Sequence, residues 1–295
     1  MLSLFFMSLV CPFYCRPDKN VQSIVRFGHF YRGSDRRKVQ RYKCNLCHRG
    51  FSRATSSPCY RQNKRQINSA VLSLLVSGVS QRRIALLLNI HHITVARKLK
   101  FLGLQARLAN LHARLAMPPV HSLQFDDLET FEHTKLKPLS ITLAVQKRTR
   151  RILGFEVSRM PASGLLANRS VKKYGRREDT RAEGRDRLFR RIKGAVKPDA
   201  LIESDSNPHY PRLVQTHFPY GHYKMHPGLR GANTGQGELK RAKFDPLFSL
   251  NHTCAMFRAH VSRLFRRTWN TTKKIQPLID HLEIYAWYHN QKLIA

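Results

Sequence analysis

Asp126 and Asp205 each follow a short apolar stretch, in Phe125-Asp126-Asp127 and in Ser204-Asp205-Ser206. The pattern predicts a strand ending at each of them. Adjacent strand ends in an α/β sheet would bring the two carboxylates together, and such a pair is unstable unless a cation bridges it. Mg²⁺ or Mn²⁺ takes few protein oxygens and leaves room for phosphate and water. Two such ions can activate an attacking oxygen and steady a leaving one. The chemistry on offer is therefore displacement at phosphorus. The third ligand is harder to find. Asn251 lies on a helix expected over residues 247–265, and Arg258 stands seven residues on, two turns along the same face. An amide oxygen can ligate a hard cation without adding charge, and Arg258 could grip a phosphate. Asp127, Glu203, Glu238 and Asp245 are the backup ligands. The plain alternative is two ordinary strand-end acids and a helix-capping Asn. Only 18 acids occur in the chain, which makes each one at a strand end more informative.

A second set of residues points to a different metal. Cys11 and Cys15 are separated by three residues, and Cys44 and Cys47 by two. Each pair can sit on a knuckle turn, and two knuckles close a tetrahedral Zn²⁺ site. Zinc would help hold together a small module with little core. Four unrelated buried cysteines are the alternative. His48 and Cys59 are read as bystanders. Six Cys in 295 residues do not form a secreted disulfide scaffold.

The charge is one-sided. The formal net charge is +35, and no Asp or Glu occurs from Arg36 to Phe125, a span with seventeen Lys and Arg. Self-repulsion of this kind works against compaction. A polyanionic partner explains it, because neutralised phosphates release counterions. Within the span, residues 67–76 have helical periodicity, and Ser77-Gly78-Val79-Ser80 makes a turn. Ser80 is expected to N-cap a helix over 81–88. Asn89-Ile90 turns again, and a helix over 91–102 follows. Two short helices with this turn fit a helix-turn-helix. The second would present His92, Thr94, Arg97 and Lys98 to a major groove, with Arg82 and Arg83 on the preceding helix. A three-helix bundle with a basic face is the alternative.

The remaining elements must position the acids. Strands are expected over 139–146 and 151–158, joined by Lys147-Arg148-Thr149-Arg150, and a short strand over 200–203. Helices are expected near 182–194, over 207–218 and over 275–294. Residues 105–119 read as a basic linker ending in Pro118-Pro119. The span 176–191 reads as a mobile or DNA-facing charge run, and Gly228–Gly237 as a flexible DNA-contacting loop. No stretch is long enough to span a bilayer. The apolar start, Met1 to Val10, lacks a basic n-region and a cleavage site, so a strand or an over-extended start is expected there rather than a signal peptide.

In this order the pieces resemble an insertion-sequence transposase of the DDE type, of the group typified by the first-named bacterial insertion sequence. Phe125-Asp126-Asp127, Ser204-Asp205-Ser206-Asn207-Pro208-His209-Tyr210, Leu250-Asn251-His252 with Arg258, and Arg263-Leu264-Phe265-Arg266-Arg267-Thr268 carry the resemblance. It implies an α/β protein: an RNase H-like mixed-sheet catalytic domain preceded by a small zinc ribbon and an all-α helix-turn-helix domain. The implied boundaries are 1–60 for the ribbon, 61–104 for the helix-turn-helix, 105–119 for the linker, 120–272 for the catalytic domain and 273–295 for a C-terminal helix. The resemblance makes Asp126 and Asp205 the first two catalytic acids. Asn251 falls at the third position, usually Glu, and Arg258 matches the basic residue seven places later. Asp127 is expected to support the site from beside it. The implied activity is hydrolysis at transposon ends, then attack of the freed 3′-hydroxyl on target DNA. It needs Mg²⁺ or Mn²⁺, double-stranded DNA and a homo-oligomer, with no membrane, in the cytoplasm at the nucleoid. Two rivals remain: a non-catalytic DNA-binding regulator with a decayed core, and a nuclease that cuts without joining.

Overall fold

A computed structural model describes residues 11–12, 23–33, 36–227, 245–265 and 268–294. The chain is mixed α/β. It divides into two compact units, residues 1–69 and 70–295.

The first unit is built on a three-stranded antiparallel sheet of β1 (Ile24–Arg32), β2 (Arg37–Cys44) and β3 (Gly50–Ser52), in that order. Among the described residues its apolar centre is Cys11, Tyr42, Cys44 and Phe51, with Ile24 and Cys47 packed against them. Arg26, Arg37, Lys38 and Arg41 on β1 and β2 are exposed, and Arg41 and Lys43 lie over the ring of Phe27.

The second unit begins with three helices: α1 (Asn68–Val76), α2 (Gln81–Leu87) and α3 (His92–Ala116). Gly78 turns the chain between α1 and α2 at φ +75°, and a side chain there would crowd the Ala259 carbonyl at 3.1 Å. Ser80 does stand at the N-cap of α2, but its side chain makes no capping bond. His91 instead caps α3, its Nδ1 accepting from the Ile93 amide at 3.3 Å.

Residues 105–116, expected as linker, continue α3 without a break. Nothing there stops a helix until Pro118. The helix is held by α8 (Ile275–Tyr288), to which Asn110 Nδ2 donates at Glu283 Oε2 (2.8 Å) and Arg107 pairs with Glu283 (3.5 Å). Gly103 is the point of closest approach, since an added Cβ would lie 2.6 Å from that of Asp280. His281 of α8 bonds the Leu75 carbonyl of α1 at 3.0 Å.

The centre of this unit is a five-stranded sheet in the order β6-β5-β4-β7-β8. Its strands are β4 (Val120–Phe131), β5 (Pro138–Gln146), β6 (Ile152–Arg159), β7 (Val196–Asp205) and β8 (His222–His226). The first three form an antiparallel meander, and β7 and β8 run parallel to β4. β5 is buried along nearly its whole length, and it is apolar there except for the buried Ser140 and Thr142. Residues 159–195 supply α4 (Ala167–Tyr174) and α5 (Arg181–Ile192); α4 was not expected, because its eight residues are mostly polar and basic. α6 (Tyr210–His217) follows β7, and α7 (Phe248–His260) follows the undescribed residues 228–244. α7 is shorter than expected, because Val261 is buried in extended backbone and only a single 3₁₀ turn follows it. Leu123 and Phe125 pack with Leu188, Phe189 and Ile192 of α5 and with Tyr210 and Val214 of α6.

Candidate functional site

Alternation along β4 sets which residues face which layer. Leu123, Phe125 and hence Asp127 face α5 and α6. Gln124 and hence Asp126 face the other side, where Gln124 Nε2 donates to the Pro246 carbonyl (2.8 Å) and its Oε1 accepts from the Leu250 amide (3.2 Å). Gln124 thereby seats the start of α7 on the sheet.

Asp126 does not end its strand. β4 runs five residues further, to Phe131, because β5 pairs with it throughout, with Asp126 opposite Leu143 and Asp127 opposite Thr142. What ends near Asp126 is the parallel ladder with β7, whose last pair is Gln124 and Glu203. Two residues on, the same register brings Asp126 level with Asp205, the last residue of β7.

The electrostatics agree with that placement. The Asp126 carboxyl is pushed up to about 6, first by burial and then by the charge of Asp205. Its Oδ1 accepts from the Asp127 amide (2.7 Å) and from the Tyr210 hydroxyl (3.1 Å). Asp205 Oδ1 accepts from the Asn207 amide at 3.2 Å. Among the described residues, neither Oδ2 has a donor, so each carboxylate keeps one oxygen available to a cation.

Asp127 is used differently. Its Oδ1 accepts from Thr142 Oγ1 at 2.6 Å, and its Oδ2 pairs with buried Arg185 of α5. The Arg185 guanidinium lies over the Tyr210 ring, 4.9 Å from its centroid. Burial, with Asp127 and Asp126 next, pushes the Tyr210 phenol well above its ordinary range, so it donates. From sequence, Arg185 is not singled out and Tyr210 appears only as the last residue of the motif that begins at Ser204, with no role given to either. The only signals were the position of Tyr210 five residues after Asp205 and an Arg inside what read as a mobile charge run.

Glu203 is spoken for. It is 2% exposed and is held by Lys147 (2.8 Å to Oε2), Gln124 (2.9 Å) and His226 (3.0 Å). Burial raises its carboxyl, but the bonds from Lys147, Gln124 and His226 outweigh that and hold it below the usual range. Asp245 accepts from the Leu247 amide (2.9 Å) and from Asn251 Nδ2 (2.8 Å), so it orders the entry to α7. Glu238 lies outside the described residues.

Asn251 is exposed on α7. The residue of α7 that feels Asp126 is Cys254, one turn further on. Its thiol is pushed up to about 12 by burial and by Asp126, with Arg258 acting in the opposite direction. Asn251 and Arg258 flank Cys254 at three residues before and four after, on the same helix face. No third Asp, Glu, His or Cys joins Asp126 and Asp205 as a ligand cluster among the described residues.

In the first unit, Cys11, Cys44 and Cys47 bring their sulfurs within 4.8 Å of one another, close enough to share a metal ion. Cys44 ends β2, and the turn to β3 is closed by the Cys44 amide on the Arg49 carbonyl (3.1 Å). The backbone amide of Cys47, against burial and with help from that of Leu46, brings the Cys44 thiol down to about 7. Cys15 lies outside the described residues. His48 and Cys59 do not join the cluster; Cys59 accepts from Asn68 Nδ2 at 3.6 Å.

Of the residues expected to face DNA, Arg82, Arg83, His92 and Arg97 are exposed and Thr94 is half-buried. Lys98 is a correction. It is 3% exposed, because it falls beside Val95 and Leu99 on the packed face of α3. Ile93, one residue before Thr94, is exposed. The expected loop 228–237 and Arg266-Arg267 lie outside the described residues. No helix of the described residues is long and apolar enough to cross a membrane. No protein-family model matches the chain, and no curated protein matches it.

Proposed function

We propose that the chain is a metal-dependent DNA transposase of the DDE type, with residues 120–272 forming an RNase H-like catalytic domain. The observation that carries this reading is the parallel register of β4 and β7, which, carried two residues past its last pair, sets Asp126 level with Asp205; burial and then the Asp205 charge raise the Asp126 carboxyl. The sheet supports it: an antiparallel meander of three strands extended by two parallel ones, with the first acid on the first strand and the second at the end of the fourth. Helices α1 to α3, with exposed Arg82, Arg83, His92 and Arg97 and no acid, support a helix-turn-helix that grips DNA phosphates. The three-cysteine cluster supports a zinc knuckle, with Cys15 proposed as the fourth ligand.

The donor set fits Mg²⁺ or Mn²⁺. Both are hard cations that favour carboxylate oxygen, and among the described residues Asp126 and Asp205 each keep an oxygen without a donor. Asn251 donates from Nδ2 to Asp245, which leaves its carbonyl oxygen as the proposed third ligand. When bound, the ions would stabilise the attacking and leaving oxygens of an in-line displacement at phosphorus. The chain's own part is to hold Asp126 by two hydrogen bonds, to keep Asp127 neutralised by Arg185, and to offer Arg258 to a phosphate. No covalent protein intermediate is required. Holding two transposon ends at once calls for a homo-oligomer.

The exposed, uncharged Asn251 favours one rival, a DNA-binding regulator with a decayed core. DNA-end cleavage separates the readings, using DNA flanking the gene as substrate with Mg²⁺ or Mn²⁺. Cleavage and joining by the native protein, lost in Asp205→Ala, is the expected result. Cleavage only in Asn251→Glu would mean a decayed enzyme. Nicks without joined product would mean a nuclease. Tight end binding with no cleavage by any form would leave the regulator.

A further inference from the structure

We infer that Tyr210 is a positioning residue for the Asp126 carboxylate, acting through its hydroxyl and held in place by Arg185. The inference rests on the reading of Asp126 as a metal ligand. Tyr210 is fully buried, and its ring is wedged between Phe125 of β4 (centroids 4.7 Å apart) and the Arg185 guanidinium (4.9 Å). Arg185 is itself 5% exposed and paired with Asp127, which Thr142 holds from the other side. These contacts brace the ring so that its hydroxyl meets Asp126 Oδ1 at 3.1 Å.

A carboxylate with one bonded oxygen can still rotate about it. Asp126 Oδ1 takes two donors, the Asp127 amide at 2.7 Å and the Tyr210 hydroxyl. Two donors on one oxygen fix the plane of the carboxylate and turn Oδ2 away from them. Oδ2 is then presented to a cation without further ordering. With the hydroxyl gone, that ordering has to be made when the cation binds, so its loss should weaken cation binding, roughly tenfold. The arrangement also gives Asp127 a purpose without making it a ligand. It anchors Arg185, Arg185 anchors the Tyr210 ring, and the ring aims the hydroxyl.

The test measures Mn²⁺ binding to the full chain by electron paramagnetic resonance, for the native protein, Tyr210→Phe and Asp126→Ala. Tyr210→Phe keeps the ring between Phe125 and Arg185 and removes only the hydroxyl. The expected result is binding lost in Asp126→Ala and weakened about tenfold in Tyr210→Phe, with DNA affinity unchanged. Arg185→Lys, which keeps the charge beside Asp127 but removes the flat cover of the ring, should weaken binding in the same direction and serves if Tyr210→Phe unfolds. Native-like binding in Tyr210→Phe and in Arg185→Lys, with binding lost in Asp126→Ala, overturns the inference and leaves the metal-site reading standing. Native-like binding in Asp126→Ala, or none in the native protein, overturns both.

Discussion

Asp205 lies two residues past the last pair of the β4–β7 ladder, where the register brings it level with Asp126, and its charge, after burial, pushes the Asp126 carboxyl up to about 6. The folded-state value lies above the unfolded one. At neutral pH the ionised carboxylate therefore costs the folded state stability, and the cost fades as pH falls through 6. Asp126→Asn should raise stability by about 1–2 kcal/mol at pH 7.5 in chelator, with a smaller gain at pH 5. Added Mn²⁺ should stabilise the native protein and not the variant. Thermal melts in the two buffers check this; a variant less stable than native in chelator would count against the paired-acid site.

The cysteine cluster predicts a different response to metal removal. The Cys44 thiol, brought down to about 7 by the Cys47 amide, gives up its proton readily on metal binding, so affinity should fall as pH drops below 7. Stripping the metal should expose β1–β3 to hydrogen exchange, since among the described residues their core is the cysteines, Tyr42, Phe51 and Ile24. The five-stranded sheet has its own core and should keep its protection. Cys44→Ser should release the ion and reproduce the pattern. Unchanged exchange in β1–β3 after stripping would show that no metal holds this unit.

Local features of this chain were legible and long-range ones were not. The strands over 139–146 and 151–158 are found within a residue, because a basic turn and two apolar runs define a hairpin by themselves. The Cys44–Cys47 knuckle is equally local. The second half of β4 was hidden by Asp126-Asp127, which look like a strand end until β5 is seen to pair across them. α3 was cut short at Gly103, whose purpose is the close approach of Asp280, 177 residues away in sequence. For the site, Asp126 and Asp205 could be proposed from their strand-end pattern. Tyr210, Arg185 and Cys254 could not, because each matters only through a neighbour from another element.

Arg97 and Lys98 are adjacent cations with opposite surroundings, and DNA binding should tell them apart. Arg97 is exposed while Lys98 is buried on the packed face of α3. If α3 lies against DNA, Arg97→Ala should weaken affinity and lower the slope of log K against log salt by about 1. Arg82→Ala and Arg83→Ala should do the same. Lys98→Ala should leave the slope alone and lower the melting temperature instead. Fluorescence anisotropy at several salt concentrations reads the slope. A slope that falls for Lys98→Ala and not for Arg97→Ala would place the DNA on another face.

His281 predicts how the helical part of the second unit answers acid. The imidazole is fully buried in α8, bonds the Leu75 carbonyl of α1 at 3.0 Å, and is held down to about 4 by burial. Its folded-state value lies below the unfolded value near 6.5. Between the two the unfolded chain binds the extra proton, so stability is complete above 6.5 and is lost as pH falls toward 4. From pH 7 to pH 5 this one group should remove about 2 kcal/mol. Arg263 nearby adds to the effect, since its positive charge also disfavours the imidazolium. His281→Gln, which keeps a donor for the Leu75 carbonyl and does not titrate, should be less stable than native at pH 7 and lose less on going to pH 5. Urea unfolding at the two pH values gives the comparison. Equal losses in both proteins would mean that His281 is protonated without cost and that the α1–α8 junction does not exclude the charge.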